Sequence, residues 1–72
     1  MNRLQERFGE ILLDKIASDR YPSVTQMNLF ESVATPELLV NYIMVLLARI
    51  EDDERPSISM ENRVHRLVMS LG

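Results

Sequence analysis

Leu38-Leu39-Val40-Asn41-Tyr42-Ile43-Met44-Val45-Leu46-Leu47-Ala48-Arg49-Ile50 is the stretch that decides the fold. Eleven of these thirteen residues are apolar or aromatic, and no single face holds them. At about 100° per residue, Leu38, Tyr42, Val45 and Arg49 line one side of a helix. Leu39, Ile43, Leu46 and Ile50 line the next, and Val40, Met44 and Leu47 fall roughly opposite the first row. A helix that is apolar all round has to be surrounded. A chain of 72 residues has little protein with which to do it. The stretch is shorter than the roughly 20 residues that span a bilayer, and acids and prolines flank it. It reads as a core element, not a membrane span.

Outward from this helix, turn residues at Tyr21-Pro22-Ser23, Thr35-Pro36 and Arg55-Pro56-Ser57 cut the chain into four segments. Thr35-Pro36-Glu37 reads as the start of the third helix. A threonine cap, a proline at the first position and an acid in the first turn all suit its exposed amides and dipole. The third helix then covers residues 36–52 and ends in the acidic run Glu51-Asp52-Asp53-Glu54. The first helix, from about Asn2 to Ser18, carries Leu4, Phe8, Ile11, Leu12 and Ile16 at helical spacing. Leu13 widens that stripe to about half the circumference. Arg3, Glu6, Arg7, Glu10 and Asp14 hold the other side. Gly9, which costs about 1 kcal/mol against alanine inside a helix, reads as a tolerated weakness rather than a mark of close backbone approach.

The second helix, Val24 to Val33, is short. Ser23 followed by Gln26 matches a capping box, and Val24, Met27, Phe30, Val33 and Ala34 supply its apolar side. The last helix is expected to start near Ser59 as cap. Met60, Val64, Leu67, Val68 and Leu71 form its stripe; Asn62, Arg63, His65 and Arg66 occupy the opposite side. The fold these segments predict is all-α: one domain over residues 1–72, a compact four-helix bundle of three longer helices and one short one around the central apolar helix 36–52. Helices 1 and 4 are expected to cover most of it, with helix 2 as a brace. The row Val40, Met44 and Leu47 is left over, and a second copy of the chain is the expected cover, in a homodimer.

Composition narrows the function classes. With no cysteine, disulfides, thiolate metal sites and cysteine nucleophiles are excluded. A single histidine, His65, leaves little for an imidazole zinc site, and Glu61 with His65 at i,i+4 gives two ligands without a third. The acidic run lacks the alternating ligands and central glycine of a calcium loop. Two glycines, Gly9 and Gly72, cannot build a phosphate loop. The serines sit where caps and turns want them. No cofactor, metal or catalytic residue is expected, and the chain is not read as an enzyme.

Eight basic against eleven acidic residues, net −3, disfavour nucleic acid, whose binding depends on cations at the phosphates. The alternative to a protein–protein interaction or regulatory adaptor is a DNA-binding regulator using the arginine-bearing last helix. The third helix offers Glu37, Leu38, Leu39 and Val40 where a recognition helix needs base-reading side chains. The expectation is therefore a small non-catalytic interaction module, self-associating through Val40, Met44 and Leu47, with Arg63 and Arg66 facing a protein partner. The N-terminal stretch lacks the basic-then-apolar plan of a signal peptide, which makes a cytoplasmic location the default.

Overall fold

In the computed structural model, residues 2–53, 55 and 57–71 are described; what the sequence suggested for Met1, Glu54, Pro56 and Gly72 lies outside them. The chain is all-α. Among the described residues there are four helices, α1 (Arg3–Ser18), α2 (Val24–Val33), α3 (Pro36–Asp52) and α4 (Ile58–Leu71), and no strand.

Each helix begins on the side chain of a polar residue that satisfies one of the amides left unbonded in a first turn. Asn2 Oδ1 accepts the Gln5 N–H at 2.8 Å, and Ser23 Oγ accepts that of Gln26 at 3.0 Å. Thr35 Oγ1 accepts that of Leu38 at 3.1 Å. The fourth cap corrects the sequence reading: Ser57, not Ser59, accepts the Met60 N–H, at 3.2 Å. Both serines can cap. The earlier one adds Ile58 and Ser59 to the helix, and its own carbonyl takes the Glu61 N–H at 2.9 Å. After α1, the Asp19 carboxylate accepts the Tyr21 N–H at 3.0 Å, a local turn that precedes Pro22.

The chain divides into two compact units, one ending at Tyr42 and one beginning at Ile43, with α3 continuous across the boundary. In the first unit α1 packs on α2. Leu12, Ile16, Met27, Phe30 and Tyr42 are buried there. The Phe30 and Tyr42 rings lie 4.5 Å apart between centroids, tilted by 43°, within the range where aromatic pairs attract beyond their buried area. The fully buried Tyr42 still finds a partner for its hydroxyl, which donates to Glu31 Oε2 at 2.7 Å.

Gly9 corrects a second expectation. A Cβ built on it would meet Leu38 Cδ1 at 3.2 Å and Val33 Cγ2 at 3.9 Å. The glycine marks a close approach of α1 to the end of α2 and the start of α3. In the second unit Ile43 and Leu46 of α3 and Val64 and Leu67 of α4 are buried. No charged side chain is buried among the described residues.

Candidate interaction surface

Nearly uniform in composition, α3 is sharply divided in exposure. Tyr42, Ile43 and Leu46 are buried, and Leu38, Leu39, Val45, Arg49 and Ile50 beside them are half-buried. The other half of the circumference is open. Val40 is 46% exposed, Met44 63% and Leu47 46%, so among the described residues this row is only partly covered. These three residues follow one another at i, i+4 and i+7, a continuous ridge about 10 Å long at about 1.5 Å per residue. Glu37 stands three residues before the ridge and Glu51 four residues after it, both exposed and on the same side of the helix. Asp52 is exposed next to Glu51, and the one base of the helix, Arg49, lies on the half-buried side. The result is an apolar ridge closed by an acid at each end.

A second apolar row is exposed on α1. Helical spacing puts Leu4, Phe8 and Ile11 on one stripe with Leu12 and Ile16. Only Leu12, Ile16 and Gly9 are buried; Leu4 is 81% exposed, Phe8 43% and Ile11 39%. The signal was available in the width of the stripe. Half a circumference is wider than the roughly 100° that one core contact occupies, and the surplus stays outside. Lys15, also exposed, continues this row at i+4 from Ile11. Arg7 and Asp14 border it together, while Glu6 and Glu10 turn away.

The same division appears elsewhere. On α2, Met27 and Phe30 are buried but Val24 is exposed. On α4, Val64 and Leu67 are buried while Val68 and Leu71 of the expected stripe remain exposed. Of the residues proposed to face a partner, Arg63 is half-buried beside the buried side of α4 and Arg66 is exposed one turn on. Each already takes part in an interaction within the chain.

Several of the described hydroxyls are held by local backbone. Ser18, Ser32 and Ser70 donate to backbone carbonyls of their own helices, and Ser23 and Ser57 are occupied as caps. His65 and Glu61 are both exposed, and among the described residues no group of three His, Cys, Asp or Glu could hold a metal ion. No described helix is long and apolar enough to cross a membrane. The described surface carries an apolar row on α3 between Glu37 and Glu51 and another on α1 ending at Lys15. Comparison with protein-family models, with curated proteins and with solved structures finds no match to this chain.

Proposed function

We propose that this chain is a small non-catalytic protein–protein interaction module that self-associates through the exposed side of α3. One observation carries the reading: Val40, Met44 and Leu47 form an unbroken apolar ridge in solvent, on the helix that also supplies Tyr42, Ile43 and Leu46 to the buried interior. Exposed apolar residues occurring singly need no explanation, but three in one row, with a polar boundary at each end, have the layout of an anchoring helix face. Covering them removes apolar surface from water, worth about 25 cal/mol per Å².

The competing nucleic-acid reading draws on Arg63 and Arg66, but both already engage other groups of the chain, and the chain as a whole is negative. A regulatory adaptor needs nothing more than a helix-sized docking face and a fold that holds it open.

Sedimentation velocity over a range of micromolar concentrations tests the proposal. Wild-type protein is expected to associate reversibly, and Met44→Glu, which sets a charge at the centre of the ridge, to weaken association about tenfold or more. A wild type that stays monomeric, or a Met44→Glu chain that assembles as wild type does, sinks the reading.

A further inference from the structure

We infer that the α3 ridge of one copy is covered by the α1 ridge of a second copy, and not by another α3; this rests on the reading of α3 as an interface. The two ridges match in spacing. Leu4, Phe8, Ile11 and Lys15 follow steps of four, three and four residues, and Val40, Met44, Leu47 and Glu51 follow the same steps. Laid side by side in parallel, three apolar layers coincide and Lys15 faces Glu51. Laid antiparallel, the apolar layers still interleave and Lys15 faces Glu37. In either direction the lysine that ends the α1 ridge meets an acid that ends the α3 ridge.

An α3–α3 pair lacks this property. Run in parallel it sets Glu37 against Glu37 and Glu51 against Glu51; run antiparallel it sets Glu37 against Glu51. Like charges face each other at both ends whichever way it forms, and such juxtaposition works against pairing. The ridges of α1 and α3 are chemically complementary, and each is otherwise open to water. Their union uses different surfaces on the two copies. Made once between two copies it is a heterologous contact that closes as a ring or continues copy upon copy; made twice, reciprocally, it closes a two-fold pair.

The experiment mixes two chains, each with one ridge disabled: Phe8→Glu on α1 and Met44→Glu on α3. Both substituted positions are exposed, and each chain is expected to remain helical by far-UV circular dichroism. Alone, neither is expected to associate, because each lacks one half of the junction. Mixed, they are expected to form a one-to-one complex through the α1 of the Met44→Glu chain and the α3 of the Phe8→Glu chain.

A charge-only version leaves the apolar surface intact. Lys15→Glu weakens assembly about tenfold, and mixing it with a chain carrying Glu37→Lys and Glu51→Lys restores it. If Phe8→Glu assembles like wild type while Met44→Glu does not, the pairing of α1 with α3 is wrong and the α3 interface survives. If the mixture stays monomeric, the pairing is equally wrong. If Met44→Glu assembles like wild type, or wild type is a monomer, the α3 interface itself has failed.

Discussion

Tyr42 shows how one side chain ties elements together within the first unit. Its ring lies against Phe30 and its hydroxyl reaches Glu31, so α3 is fastened to two successive residues of α2 by one apolar and one polar contact. Removing the hydroxyl with Tyr42→Phe leaves the ring contact and withdraws a donor from the half-buried Glu31 carboxylate. The expected loss is about 1.5 kcal/mol in urea denaturation. Glu31→Gln keeps an acceptor and is expected to cost less. Gly9 makes an opposite demand, since here the space itself is the contribution. Gly9→Ala gains about 1 kcal/mol of helix propensity but presses a methyl group on Leu38 Cδ1 at 3.2 Å. A leucine methyl can give by a few tenths of an ångström, so the net change is expected to lie close to zero. Gly9→Val has no such relief and is expected to destabilise by about 1–3 kcal/mol, read in the same titration.

At the scale of the helix, starts were legible because they depend on local chemistry. Ser23 and Thr35 were found from their own side chains and the residues just after them. The misplaced fourth cap shows where this legibility ends: Ser57 and Ser59 are both competent, and which one wins depends on how far the helix can usefully extend. Ser57→Ala is therefore expected to cost about 1 kcal/mol and Ser59→Ala almost nothing, a contrast that thermal denaturation can measure. Facing was harder to read than existence. On α4 the stripe is narrow and its centre, Val64 and Leu67, is buried. On α3 every side is apolar, yet the row the sequence leaves over, Val40, Met44 and Leu47, is the exposed one, while Tyr42, Ile43 and Leu46 turn inward. On α1 the stripe is wider than one contact can hide, and only the part around Gly9, Leu12 and Ile16 is buried. The acids that end the α3 ridge, by contrast, stood in plain view in the sequence.

Taken as a whole, the chain buries few large side chains: Tyr42, Phe30, Ile16 and Leu46 are its largest fully buried ones. Small domains conceal a lower fraction of their surface than large ones, and net stability is a few kcal/mol in such cases. Phe30→Ala, expected to remove about 3–5 kcal/mol, therefore leaves little or no cooperative unfolding transition. Association couples to this marginal stability. If only folded chains join, the melting temperature rises with protein concentration, and Met44→Glu flattens that dependence; differential scanning calorimetry over a wide concentration range reads both. Another consequence follows from the seam at Ala34 and Thr35, just two residues between α2 and α3. Pro36, lacking an amide hydrogen and crowding Thr35 before it, works with the extended Ala34 to keep those helices from fusing into one straight rod. Exchange it for alanine and the bend loses its enforcer: α1 and α2 of one molecule become able to swing out and lodge against the α3 of a neighbour, an intertwined exchange of arms that dilution would undo only slowly.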